Sequence, residues 1–143
     1  MLKSLVVGFL LFLSTTVLGQ DEASGLAASN GWFREVLPGQ KSLAIYVSLL
    51  NSGPTTLTIE SVEVVGVAHS MLHMSYDEKG VSRMKHLDSL VLESGQSYQL
   101  QPGATHIMTM GLPNDLQQRR ALTVILRTSD GQSLSFEATM KAI

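Results

Sequence analysis

Cysteine is absent from the 143 residues, and that absence excludes a great deal. No disulfide can form, so the fold must stand on packing alone even if the chain works outside the cytosol. A cysteine-linked lipid anchor is excluded, and so is a blue-copper electron-transfer site, which needs a Cys thiolate beside two His and a long axial Met. Strong charge is also missing. The formal net charge is −2 and becomes −3 if Lys3 is removed with an N-terminal leader, too mild to point to nucleic acid or an anionic membrane surface as partner. No Gly-x-Ser-x-Gly, His-Glu-x-x-His or paired-carboxylate arrangement appears, so the sequence does not read as an enzyme. No segment carries a 3.6-residue apolar stripe over three turns, and there is no internal repeat, low-complexity tract or linker.

The N-terminus is Met1-Leu2-Lys3 followed by an apolar run from Leu5 to Leu13 and then Ser14-Thr15-Thr16-Val17-Leu18-Gly19. A short basic start, a run of this length and a small residue at the cleavage point describe a secretory signal peptide, residues 1–19, cut before Gln20. The run is shorter than the roughly 20 apolar residues of a bilayer span, so no stable membrane insertion is expected after cleavage. Residues 20–143 then form one domain, long enough for a real core.

Beyond the leader the pattern is short strands and turns. Leu43–Leu50 has strand composition and is stopped by Asn51-Ser52-Gly53-Pro54. Leu57–Glu60 and Ser61–Val64 both alternate, but their phases differ by one residue, which predicts a bulge between them. Val81–Leu87, Leu90–Leu92, Ser97–Leu100, Thr105–Leu112, Leu122–Thr128 and Ser133–Met140 complete the set. The turn Gln101-Pro102-Gly103 ends one strand, and Asp130-Gly131 predicts a hairpin. Asn114–Arg120 has room for one helical turn after Pro113. Seven or eight short strands in about a hundred residues argue an all-β, antiparallel Greek-key β-sandwich.

What the chain does hold is a concentration of soft ligands. All four histidines (His69, His73, His86, His106) lie between 69 and 106, and five of the seven methionines (Met71, Met74, Met84, Met108, Met110) lie between 71 and 110. Thioether sulfur suits Cu(I), and imidazole suits copper in either oxidation state, so Cu(I) is the expected metal and Cu(II) an acceptable second. His106 and Met108 are two apart on a predicted strand and so project from one face as a ready half-site. His73 and Met84 are the candidates for the other half. The candidate metal ligands are therefore His73, Met84, His106 and Met108.

Ten residues separate His73 from Met84, twenty-one separate Met84 from His106, and one separates His106 from Met108. This spacing resembles the signature of the periplasmic copper chaperones called PCu(A)C. Gly31-Trp32-Phe33-Arg34 with Pro38-Gly39-Gln40 is similar to that family's opening strand and loop, and Ala44–Asn51 to its next strand. Leu100–Leu112 is similar to its most recognisable block. Ala104-Thr105, Thr109 and Arg127 depart from the family pattern without touching a candidate ligand. The sequence stops at Ile143 without a His/Met-rich tail, so a single site is expected.

The resemblance implies a cupredoxin-like sandwich in the periplasm that carries one Cu(I) to the copper centre of cytochrome c oxidase. Subunit II of the oxidase and a Sco-type thiol chaperone are the implied partners, and a monomer is expected. Copper storage or scavenging is the alternative use of the same site, and a non-metal interaction module is the reading that fold alone cannot exclude. A secreted copper oxidase acting on polysaccharide would need histidine at the mature N-terminus, where Gln20 is expected, and a dismutase-like site needs more imidazoles. Met140 is expected in the core, Met71 and Met110 as core or as an apolar collar with reserve ligands the alternative, and Met74 on the opposite face from His73. His69 and His86 are expected to be exposed and not ligands. Trp32 is expected in the core or as a shield near the site.

Overall fold

The computed structural model describes residues 25–142; the expected signal segment and its cleavage point before Gln20 lie outside them. Ten strands form where alternation or pairing allows: β1 Leu26–Arg34, β2 Ser42–Asn51, β3 Leu57–Val64, β4 His69–Glu78 and β5 Val81–Leu87. After these come β6 Leu90–Leu92, β7 Ser97–Leu100, β8 Thr105–Met110, β9 Ala121–Thr128 and β10 Ser133–Lys141. A single 3₁₀ turn, Asn114–Gln118, follows Pro113 as expected. Strand β2 shows the physical logic most clearly. Leu43, Ile45, Val47 and Leu49 are buried while the residues between them are partly or wholly exposed, the period-2 pattern of a half-buried strand.

Hydrogen bonding links the strands in the order β5-β4-β8-β2-β1-β10-β9-β3-β6, with β7 also paired to β2. Leu72, Ile107 and Ile45 from one end of this ribbon share a single core with Ile59, Val124 and Leu126 from the other. The ribbon therefore folds over on itself as a cupredoxin-like β-sandwich. Every pair is antiparallel except β1 with β10, which is parallel along Trp32–Arg34 and Thr139–Lys141. These are the first and last strands, and no turn connects them, so nothing forces the antiparallel direction at their seam.

Two bulges adjust the faces. The predicted break in phase in β3 falls between Ile59 and Ser61, where the register with β9 shifts. A second shift, unanticipated, lies in β1 between Ser29 and Trp32, with Asn30 at φ 54°. Leu26 is buried before it and Phe33 after it, so the bulge exchanges the inward parity from even to odd and turns Trp32 outward. Gly31 is needed there, because a Cβ would lie 2.9 Å from the Glu137 carbonyl oxygen.

Strand β4 was not evident in the sequence. Its run His-Ser-Met-Leu-His-Met-Ser-Tyr-Asp-Glu lacks clean alternation, since only Leu72 is buried in the core. What makes it a strand is pairing on both sides, with β5 and with β8. The β4–β5 connection is a two-residue turn, Lys79-Gly80, with both residues at positive φ (53° and 81°). That is the geometry whose twist matches antiparallel strands, and the Gly80 N–H donates to Asp77 Oδ1 at 2.9 Å.

At the far end of β2, Asn51 is fully buried. Its amide donates to the carbonyls of Thr55, Leu92 and Glu93 at 2.8, 3.0 and 3.1 Å. Its Oδ1 accepts from the Gly53 N–H at 3.1 Å. One side chain thus ties the end of β2 to the turn after it and to the end of β6. Replacing Asn51 with alanine leaves these buried groups unpaired and is expected to destabilise the fold by about 2–4 kcal/mol, measured by urea unfolding. A loss below about 0.5 kcal/mol would refute the anchoring role.

Candidate metal centre

The site grows from the register between β4 and β8. Leu72 lies opposite Ile107, His73 opposite His106, Met71 opposite Met108 and His69 opposite Met110. Leu72 and Ile107 are buried in the core. Directly opposed residues share a face, and residues one step along point the other way. His73, His106, Met71 and Met108 therefore project together from the outer face of the sheet. On the other side of β4, His86 lies opposite His73 and Met84 opposite Ser75, which places both on this same face.

The result is a row that crosses five strands: His86, His73, His106, Tyr46 and Trp32. Ring centroids are 6.0 Å apart for His86–His73, 5.9 Å for His73–His106, 6.4 Å for His106–Tyr46 and 4.6 Å for Tyr46–Trp32. His106, flanked on both sides, is only 3% exposed despite lying on the outer face. Lys141 closes the row with its ammonium 4.4 Å from the centroid of the Trp32 ring, a cation–π contact.

The two central imidazoles carry an unmet requirement. His106 Nδ1 lies 3.0 Å from the Ala104 carbonyl oxygen. A carbonyl can only accept, so Nδ1 carries the proton and Nε2 holds the lone pair. That Nε2 is buried without a partner, and so is His73 Nδ1; among the described residues the one other such side-chain atom is Gln132 Oε1, in the loop between β9 and β10. An unpaired buried nitrogen costs about 1–3 kcal/mol. Two such atoms on adjacent, edge-to-face rings fit a metal ion, because each nitrogen that donates a lone pair to it is satisfied. The Ala104 carbonyl that fixes the His106 tautomer also accepts the Ser75 N–H at 3.1 Å, so β4 itself steadies the arrangement.

The electrostatics point the same way. Burial, then the neighbouring His106 and His86, hold the His73 imidazole below its ordinary value. The ring is thus kept neutral, the form a metal needs. Among the described residues no three His, Asp or Glu side chains converge tightly enough to hold an ion by themselves. The sulfur-bearing side chains on this same face are Met71, Met84, Met108 and Met110.

The four residues singled out in the sequence are not equally close. His73 and His106 face each other directly, and half-buried Met108 adjoins His106 on β8. Met84 shares the face but sits on the edge strand β5, one row from His73, and is 57% exposed. Met74 lies opposite Thr105 and points away, as expected. His86 is exposed, as expected, yet it stands in the histidine row, with Nε2 3.4 Å from Asp88 Oδ1. Met71 is brought directly against Met108. The His86 placement follows from the Lys79-Gly80 turn, because a two-residue turn at that point pairs position 73 with 86, and the Met71 placement follows from the β4–β8 register. Tyr46, the wall of His106, left no signal in the sequence beyond its place on the outward side of β2.

These features define a cupredoxin-like β-sandwich, the fold that PCuAC domains share. The copper-bound PCuAC domain from PmoF2 is similar over 83% of this chain and 94% of that one, with TM-score 0.68 and 15% identity. The Cu(I) form of DR1885 from Deinococcus radiodurans matches over 78% and 75%, with TM-score 0.62 and 24% identity. In sequence, the LpqE-like family model ("Putative lipoprotein LpqE-like") matches residues 26–140, and the chain belongs to that family. A relative from Leifsonia xyli subsp. xyli, named "Putative lipoprotein Lxx21020", is 27% identical over 113 residues, which is 78% of this chain and 67% of that protein.

The depressed His73 pKa sets a direction for stability. The folded protein binds this proton less readily than the unfolded chain does, so stability from His73 is complete above the unfolded value of about 6.5 and falls as pH drops through and below it. Urea midpoints of the metal-free protein are expected to decline from pH 7.5 to 5.5, with a shallower decline in His73→Gln. Equal slopes for the two proteins would overturn the assignment.

Proposed function

We propose that this protein is a copper chaperone of the periplasm, which holds one Cu(I) and delivers it to an acceptor. The reading rests on one observation above others: His73 Nδ1 and His106 Nε2 are buried, unpaired and carried on adjacent rings with centroids 5.9 Å apart. His73 and His106 would supply nitrogen, Met108 the adjacent sulfur, and Met84 a second sulfur from the exposed edge strand. The copper bound in the similar PmoF2 and DR1885 structures supports the choice of cargo. Export is supported by the N-terminal apolar run and by the lipoprotein description of the family.

The donor set suits a carrier better than a permanent holder. Neutral imidazole and thioether bind Cu(I) softly and without a thiolate's charge, so an incoming thiolate can displace them. Met84, at 57% exposure, is the ligand most open to exchange. The His73–His106 pair, braced by Tyr46 and the Ala104 carbonyl, keeps its geometry whether or not the edge ligand has left. We assign the acceptor to the copper centre of cytochrome c oxidase, in subunit II, reached directly or with a Sco-type thiol chaperone. The protein acts by ligand exchange, as a carrier and not an enzyme.

Purified mature protein is expected to take up one tightly held Cu(I) against a colorimetric chelator. X-ray absorption of that form should show both nitrogen and sulfur neighbours. Replacing His106 with alanine should weaken Cu(I) binding by at least about 100-fold, since even partners that merely orient a ligand are worth 10–100-fold. Failure to compete with the chelator, or unchanged affinity in His106→Ala, would defeat the proposal. Affinity should weaken as pH falls below about 6.5, where protons compete for imidazole. A response that stays flat to pH 5 would count against histidine ligation.

A further inference from the structure

The His73–His106 pair is the inner end of a longer series. Three successive same-face pairs along β4 and β8 are in register, and every member is a soft donor: His73–His106, Met71–Met108 and His69–Met110. Opposed side chains on one face have Cβ atoms about 4.5–5.5 Å apart, close enough for both to reach one ion. Successive pairs are about 7 Å apart along the strands, twice the rise per residue.

Exposure is greatest at the outer end of this series. His106 is buried, His73, Met71 and Met108 are half-buried, and His69 and Met110 are exposed, Met110 by 39%. The two strands stay together to the outer end because Gly111 has no side chain; a Cβ there would lie 2.8 Å from that of Ala68. If this face served only one ion, the outer positions would have no need of ligand chemistry, and any polar residue would satisfy an exposed strand end.

We propose that His69 and Met110 form a second Cu(I) subsite, weaker than the inner one and joined to it by the Met71–Met108 pair. The proposal rests on the reading of the inner pair as a Cu(I) centre. Imidazole and thioether on directly opposed positions suit a soft monovalent ion in two-coordinate form, and water can reach this pair, so the ion is held loosely. The outer pair is then the landing point for an ion entering or leaving by ligand exchange, with the methionine pair as the step between.

The test is an anaerobic titration of the mature protein with Cu(I) alone, following histidine ring and methionine methyl signals by NMR. The first equivalent is expected to shift His73, His106 and Met108, and the second His69 and Met110. In a His69→Ala, Met110→Leu variant the first equivalent should bind as before and the second should be lost. Both replaced side chains are exposed, so the amide spectrum should report an intact fold; the wild-type titration is decisive by itself if it does not. Saturation of the wild type at one equivalent with His69 and Met110 unmoved overturns the second subsite and leaves the inner centre standing. A second equivalent that persists in the variant also overturns it. No response from His73 and His106 overturns both readings.

Discussion

The contact between Leu72 and Ile107 governs the functional face of this molecule. Both side chains are drawn into the core and lie opposite each other on β4 and β8. Side chains alternate strictly along a strand, so burying this pair obliges its neighbours on each side, His73 with His106 and Met71 with Met108, to emerge together on the other face. A slip of one residue would turn an imidazole into the core and a leucine into water, at a cost no metal-free protein of ordinary stability could absorb. The hydrophobic effect, acting on two aliphatic residues, thus sets the alignment of donors it never touches.

The outer face gains burial from the side as well. The bulge at Asn30-Gly31 turns Trp32 outward onto Tyr46, and Tyr46 flanks His106. An imidazole on a solvent face is ordinarily wet; this one is enclosed by aromatic rings and a second histidine. Enclosure raises the cost of leaving its Nε2 unpaired and disfavours protonation of the adjacent His73. The structure therefore leaves two buried ring nitrogens unpaired, at a free-energy cost that a bound ion would offset. Met84 stands apart from this rigidity, on an edge strand whose residues are almost all exposed. Under the proposed function, fixed nitrogen donors with an accessible sulfur donor on the edge strand suit an ion that must be released.

Legibility of the sequence varied with how far each element depends on its neighbours. Strands β2, β8 and β9 alternate because one face of each is in the core, and they were evident from sequence alone. The bulge in β3 left a trace as a change of phase. Strand β4 did not, because most of its side chains face outward or lie at the rim, and its conformation comes from hydrogen bonding to β5 and β8. His86 and Met71 were legible as donors but not as neighbours of His73 and Met108. The first depends on the Lys79-Gly80 turn, which pairs β4 with β5, and the second on the register of β4 with β8; both involve β4, which is invisible to pattern. The parallel seam of β1 and β10 likewise joins the two ends of the domain, and no local signal encodes it.

The sequence by itself determined the chemistry of the face: soft nitrogen and sulfur donors, no thiolate and mild charge. Composition and spacing are properties of the covalent chain and need no fold to be read. Only the tertiary structure decided which nitrogens are available, through the Ala104 carbonyl on His106 Nδ1 and the burial of Nε2. Only it set three histidines in one row, Met71 against Met108, and Met84 out in solvent. Hydrogen-bond partners, burial and opposition across a sheet belong to pairs of residues far apart in sequence. They exist once the core has closed and fixed the register.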